Sequence, residues 1–549
     1  MRKYNLLFLF CAFFFISCQK KDTNTQLTQY QFSFPVLKFN STNKVLLLKI
    51  SLYDTLTETN VHSVIINTEG TSCLKDIERV SLYYCGQDST QLNEKMLLFA
   101  ESDNISQKII LDGYITLSKR ENYFWLSYTL KEDADILNLI CAKCEKVITN
   151  NGEAKIHPLN DPKKIRLGIA LRNHLDDNVH TFRIPGLVTT NSGSLLAIYD
   201  ARHDSSRDLQ GDIDIGINRS TDGGNTWSPM YIAMDMGEWG GLPQKFNGVS
   251  DACILVDKNS ENIFIAGLWM YGVLNPDGKW LENLNEQSED WNHQWRNKGS
   301  QPGFDVKETS QFLVVKSTND GKTWEEPINL TSMCKQEEWW LWAPAPGNGI
   351  TMTDGTLVFP TQGRDKNGIP FSNITYSKDG GITWKTSNPA YTNTTESAVI
   401  QLDNELLLLN MRNNRNRTIK GPKNGRAITT TIDLGETWQE HPSSQGALQE
   451  SVCMASLLKH TYLENGDLKS VLIFSNPNIQ EGPRRKTTIK ISFDNGITWP
   501  EKNWMLLDEG NSRGYSCLAS IDEKTIGILY EGSQSDLIFQ KISLEDLIK

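Results

Sequence analysis

The chain has 549 residues, 38% hydrophobic and 22% charged with only 19 prolines, which excludes collagen-like, mucin-like and disordered classes and exceeds what one core serves. Its formal net charge of −11 offers no general field for nucleic acid or an anionic membrane, so an anionic ligand must be held by a local cation cluster. Fifteen tryptophans and 39 glycines suggest a turn-rich repeat.

Arg2 and Lys3 precede an apolar run, residues 6–16, that has signal-peptide length and is too short to span a bilayer as a helix. It ends in Ser17-Cys18 before polar Gln19, Lys20 and Lys21, a pattern similar to a bacterial lipoprotein cleavage site, whose cysteine is lipidated. Residues 1–18 are therefore expected to be a signal peptide with lipobox and 19–29 a linker. The mature protein is expected to be periplasmic or on the outer membrane or cell surface, touching the membrane only through lipid on Cys18.

From residue 30 to 156, short β-forming runs recur at 31–39, 44–52, 61–66, 79–84, 95–99, 108–117, 123–130 and 137–148, separated by polar turns. This predicts a β-sandwich without a cluster of catalytic residue types, an accessory unit for carbohydrate binding or spacing. Cys141 and Cys144 have redox or zinc-ligand spacing, but the chain has no second such pair and no paired histidine after them, and they read as structural. Asn151-Gly152 and Asp161-Pro162 mark the junction with the longer C-terminal region.

In that region an eight-residue box of the form Ser-x-Asp-x-Gly-x-Thr-Trp recurs with its acidic position at Asp222, Asn319, Asp379, Asp433 and Asp494. The pattern predicts a hairpin in which Asp folds back on turn N–H groups, Gly supplies positive φ, and Thr-Trp opens the outgoing strand. A residue repeated in every unit serves the unit, and Asn319 keeps the hydrogen bond while losing the charge. Strand pairs with short turns recur at 184–199, 252–268, 349–360, 398–410, 452–474 and 521–530, and the Trp- and Gly-rich stretch 272–304 is expected to be a surface loop. The fold class is thus all-β: a six-bladed β-propeller over 157–549 preceded by the smaller sandwich.

Arg183, Asp251, Glu396 and Tyr515 begin strand pairs, and Arg202 and Arg412 come just after second strands, so all are expected to converge at one mouth. Guanidinium groups pair bidentately with carboxylate, and this convergence suits a carboxylate-bearing ligand. Phe182-Arg183-Ile184-Pro185, the boxes, and Glu396, Arg412, Arg484 and Tyr515 in this order resemble the bacterial exo-α-sialidases (neuraminidases). The resemblance covers about 157–549, and 122–128 also looks like the N-terminal domain attached to some of them.

The resemblance implies that Arg183, Arg412 and Arg484 hold the sialic acid carboxylate, with Arg412 preferred over Arg415 and Arg417, and Arg484 over Arg485. It implies that Tyr515 is the nucleophile, Glu396 its base and Asp208 the acid that protonates the leaving oxygen, with Asp204, Asp212 and Asp214 as turn or solvated neighbours. Arg202 and Asp251 would lie near the carboxylate and the N-acyl amide. No cofactor and no catalytic metal are expected; the partners are sialylated glycoproteins, glycolipids or oligosaccharides. The alternatives are an intramolecular trans-sialidase and a non-catalytic sialic-acid lectin. If Cys18 carries lipid, the wild-type protein partitions into detergent and Cys18→Ala into the aqueous phase; wild type in the aqueous phase would remove the anchor.

Overall fold

The computed structural model describes residues 25–40, 42–53, 58–89, 96–209, 211–272, 281, 300–402 and 405–548. The leader with Cys18, residues 19–24 and most of the 272–304 stretch lie outside them. The described chain is all-β, with two four-residue α-helices, Thr331–Cys334 and Leu544–Leu547.

The first strand, Thr25–Tyr30, starts inside the segment expected to be a linker. Its polar composition hides a period-2 pattern: Thr25, Leu27 and Gln29 face inward. Gln29 is satisfied there by the backbone of Cys144, donating to its carbonyl at 2.9 Å and accepting from its N–H at 2.7 Å. Two sheets, of six and four strands, close on a common core that includes Leu48, Val64, Leu111, Phe124 and Val147. Cys141 and Cys144 are buried free thiols in this unit. Burial pushes the Cys144 thiol up to about 12, which suits a structural role.

The junction is less clean than the spacing of turns suggests. Within the expected strand 31–39, Val36–Lys38 pairs in parallel with Ile165–Arg172, through Leu167 opposite Val36. Leu139–Ile140 pairs with that same strand. Ser33 N–H donates to Glu509 at 2.9 Å, and Gln534 Nε2 donates to the Pro35 carbonyl at 2.9 Å. The core is continuous across the junction, from Leu27 and Leu48 to Phe182 and Phe539.

All six expected strand pairs form antiparallel hairpins. They are organised in five sheets, because one nine-stranded sheet joins two meanders through the single parallel pairing of Ile213 with Gly248. The last sheet is completed from the other end of the region: Ile165–Arg172 pairs with Leu537–Ser543, Ile169 opposite Phe539. Strands such as Asn247–Val256 and Ile263–Tyr271 are buried along their whole length, which explains the apolar run of the second and of the last five residues of the first.

The boxes are turns, as their residue types require. In the third, Asp379 accepts from the Thr383 N–H at 2.9 Å, Thr383 Oγ1 at 2.6 Å and Ser377 Oγ at 2.8 Å, with Gly381 at φ +89°. Asp433 repeats this with Thr437 and Thr431, and Asn319 accepts from the Thr323 N–H at 3.0 Å. Trp384 Nε1 closes back on the Gly381 carbonyl at 3.1 Å, and the outgoing strand, Lys385–Thr386, starts just after the Thr-Trp pair.

These hydrogen bonds favour the ionised carboxylate. They hold Asp379 and Asp433 at about 2, below the ordinary 3.8. A depressed folded-state pKa means that each turn's contribution is fully present above about pH 4 and is lost as pH falls toward 2. Asp379→Ala and Asp433→Ala should lower Tm by a few degrees at neutral pH, less at pH 3, with turnover retained. Unchanged melting with abolished turnover would contradict a purely structural role.

Candidate active site

Three first strands of the hairpins carry a bulge at their start. The register shifts between Arg183 and Gly186, between Ser250 and Cys253, and between Thr394 and Ser397. A bulge inserts one residue and re-aims the neighbouring side chains. Here it releases Arg183, Asp251 and Glu396 from strict alternation and lets them share a buried cluster. The backbone bears strain for this: Ile184, Asp251 and Val452 sit at φ +57°, +55° and +55°, a region costly for β-branched residues.

At the centre lies Tyr515, buried against Ile184, Cys453 and Met454. Its hydroxyl donates to Glu396 Oε1. Arg412 Nη1 donates to Glu396 Oε2 at 2.6 Å and to the Tyr515 hydroxyl oxygen at 3.2 Å. The guanidinium groups of Arg183 and Arg484 lie over the Tyr515 ring at 5.3 and 5.6 Å. Burial, and then the Glu396 charge, push the phenol well above its ordinary value, so it rests neutral beside its acceptor.

Arg183 Nη1 donates to Asp208 Oδ1 at 2.8 Å, and Arg202 Nη1 reaches the same oxygen at 2.5 Å. Burial opposes the Asp208 charge, but Arg202 and then Arg183 overcome it and hold the group below the usual carboxylate range. Arg202 is itself clamped by buried Asp200, at 2.8 and 3.1 Å. Asp251 shows the opposite behaviour. Burial, then the charges of Glu396, Asp200 and Asp208, raise it well above the carboxylate range, so it rests protonated.

Arg484 is fixed by carbonyls, donating to Val452 O at 2.9 Å and Arg513 O at 2.8 Å, while Arg485 is exposed at the start of the strand Arg485–Ser492. Arg415 turns away to the Thr392 carbonyl at 2.7 Å, and Arg417 is exposed. Arg183, Arg202, Asp208, Asp251, Glu396, Arg412, Arg484 and Tyr515 therefore lie in or against one cluster. Of the neighbours of Asp208, Asp204 is exposed at a bend, as expected, but Asp214 is buried on the strand Ile213–Ser220 and bonded to His203 Nε2 at 3.0 Å. Ligand atoms of His203, Asp212 and Asp214 fall within 4.8 Å of one another, the grouping among the described residues that could hold a cation.

Three arginines gathered around a Tyr-Glu pair, with the Asp208 carboxylate bonded to one of them, form a set of groups that can bind a carboxylate and transfer a group to the phenol oxygen. Residues 24–153 match the model for the N-terminal domain of BNR-repeat neuraminidase, and residues 184–504 match the BNR repeat-like domain. The chain belongs to the BNR-repeat neuraminidase family. It is thus a glycoside hydrolase of the exo-sialidase class.

This neuraminidase chain is 39% identical to a sialidase of Bacteroides fragilis over the whole of both proteins. It is 30% identical to a sialidase of Paraclostridium sordellii, over 72% of this chain and 92% of that one. Among solved structures, the Hadza microbial sialidase Hz136 superposes with a TM-score of 0.84 at 36% identity, over 95% of this chain and 100% of that one.

Sequence reading missed Glu531, on which this neuraminidase site depends. It is buried, accepts from Arg183 Nε at 2.9 Å and Nη2 at 3.4 Å, and also takes the backbone N–H of Ile184 at 3.1 Å and Tyr515 at 3.0 Å. The signal was available: Glu531 comes directly after the second strand of the last hairpin, as Arg202 and Arg412 end those of theirs. Glu531→Ala removes the buried partner of Arg183, leaving it only the exposed Asp208, takes the acceptor from two N–H groups, and should destabilise the protein by about 3 kcal/mol or more. Glu531→Gln, whose amide oxygen still accepts, should cost less. Urea midpoints measure both, and an unchanged midpoint for Glu531→Ala would contradict this role.

Proposed function

We propose that the enzyme hydrolyses terminal α-linked sialic acids from glycoproteins, glycolipids or oligosaccharides with retention of configuration, through a covalent intermediate on Tyr515. The observation that carries this reading is the Tyr515 hydroxyl donating to Glu396 beneath three arginines. The anomeric carbon of sialic acid bears a carboxylate, so a carboxylate nucleophile would meet repulsion that a neutral phenol avoids. Such nucleophiles are the exception among glycosidases.

In the first displacement the Tyr515 oxygen bonds to the anomeric carbon as its proton passes to Glu396. The glycosidic bond breaks, and the leaving oxygen takes the Asp208 proton. In the second, Asp208, now a carboxylate, takes a proton from water, whose oxygen displaces Tyr515; the phenol oxygen recovers its proton from Glu396. Asp208 must enter this cycle protonated, although in the empty site Arg202 and Arg183 hold it ionised. A substrate carboxylate seated on Arg183 neutralises part of that field and displaces water, and both effects raise the Asp208 pKa.

The six hairpins and their outer strands support a six-bladed propeller, closed by Ile165–Arg172, with a β-sandwich spacer docked on the closing blade. The leader supports export, with lipid at Cys18. The lectin alternative loses ground because Tyr515, Glu396 and Asp208 are all present in one cluster. An intramolecular trans-sialidase uses the same groups and differs in product.

Tyr515→Phe should lower turnover by orders of magnitude while an unsaturated sialic acid analogue still binds, whereas Arg183→Ala should weaken analogue binding roughly tenfold or more. Proton NMR before mutarotation should show the α-anomer first. Initial β-anomer would exclude the double displacement, and an anhydro sugar would identify the trans-sialidase. Because Asp208 is depressed in the free enzyme and raised in the complex, the alkaline limb of kcat should lie at higher pH than that of kcat/KM. Coincident limbs would remove Asp208 from the acid role.

A further inference from the structure

The arginine cluster does not end at the sialic acid site. Arg412 and Arg484 also line a recess together with Arg417 and Lys420, and the sole acid in that lining is Glu481. A second recess, lined by Arg364, Arg415 and Arg417, contains no acid in its lining. Arg417 belongs to both recesses, whose linings together hold six cations and one acid.

Carbonyls hold two of these cations, Lys420 and Arg415, in place. Lys420 Nζ donates to the carbonyls of Asn416 at 2.8 Å and Gln480 at 2.9 Å, and Arg415 to that of Thr392 at 2.7 Å. Among the described residues, Arg415, Arg417 and Lys420 form no ion pair with a carboxylate. Although Arg417 reaches solvent, partial desolvation and then Arg412 and Arg484 lower its pKa, with Glu396 acting the other way, the mark of a cation crowded by its like.

The crowding is built rather than accidental. The turn Asn414–Arg417 is capped by Asn413, whose side chain accepts from Arg415 N–H at 3.2 Å. Beneath it, buried Asn416 donates to Glu450 at 2.7 Å and to Gly425 O at 2.8 Å. Glu450 is paired with buried Arg426 at 2.7 Å. A rigid turn that presents repelling cations to solvent is preorganised for an anion.

We propose that this groove is an aglycone subsite for a negative charge on the sugar next to the cleaved sialic acid, either the carboxylate of a second sialic acid or a sulfate ester. The inference rests on the sialidase function proposed for Tyr515 and its arginines, and its basis is connectivity: the carbon that carries the sialic acid carboxylate also carries the glycosidic oxygen. With that carboxylate on Arg412 and Arg484 and the leaving oxygen at Asp208, an anionic group on the next sugar comes within reach of Arg417, which lines the recess with both arginines.

The test compares kcat/KM for an α2,8-linked disialic acid, a sulfated sialyl oligosaccharide and neutral sialyllactose, using wild type and Arg417→Gln. Wild type should prefer at least one anionic-aglycone substrate, and which one identifies the source of the charge. Arg417→Gln should reduce that substrate's kcat/KM about fivefold or more, leave sialyllactose within about twofold, and Arg417→Glu should deepen the loss. The preference should shrink in about 0.5 M salt. Equal effects on all three substrates, or none, would overturn the subsite while leaving the hydrolase intact. Absence of sialic acid release from all three by wild type would instead overturn the sialidase reading, and the subsite with it.

Discussion

A single buried carboxylate joins the two ends of the catalytic region. Glu531 closes the last hairpin, yet its oxygens are occupied by Arg183 and by the N–H of Ile184 on the first strand, and by the N–H of Tyr515 on the last. A buried charge of this kind is costly unless every lone pair is used, and here it is used on both sides of the seam. Arg183 and Tyr515, some three hundred residues apart in the chain, are thereby held as a stacked pair. The strand exchange of Ile165–Arg172 onto Leu537–Ser543 closes the same seam by backbone pairing. Without that closure the first arginine and the phenol would have no common frame.

The site is a set of charges that compensate one another until a ligand arrives. Asp208 bridges Arg183 and Arg202, and Glu396 is paired with Arg412. A ligand carboxylate need not create a new cation cluster, because it enters an existing one and relieves Asp208 of part of its field. Donors fixed in advance, in a place with little water, need little reorganisation during reaction. The positive φ values at Ile184, Asp251 and Val452 are the backbone counterpart of that preparation, with strain held by well-packed strands around it.

The N-terminal unit is integrated with this frame rather than tethered to it. Val36–Lys38 adds an edge strand to the closing sheet, and one core runs through both units. That arrangement covers an otherwise open sheet edge, which gives the unit a structural part to play in addition to spacing.

Much of this was legible in the sequence for local reasons. The boxes could be read as turns because Asp, Gly and Thr at fixed offsets satisfy the same backbone groups wherever they occur, and Asn319 showed that the charge was dispensable. The hairpins could be read from apolar runs, and Arg183, Arg412, Arg484, Glu396 and Tyr515 from their places at strand ends and their resemblance to a family. Other features depended on contacts distant in the chain. Thr25–Tyr30 looked like linker because two of its three inward residues, Thr25 and Gln29, are polar, and Gln29 is satisfied by the distant backbone of Cys144. Val36–Lys38 changed sheets because its partner lies beyond the apparent junction. Asp214 became buried only when His203 folded over it. Glu531, the Asp208 bridge and the groove around Arg417 carry no local motif, since charge compensation between strands is set by closure of the fold. Sequence by itself therefore determined the repeating turns, the strands and the chemical types available at their ends; the tertiary structure decided which charges face one another, because that depends on distance through space and on the burial that gives distance its electrostatic force.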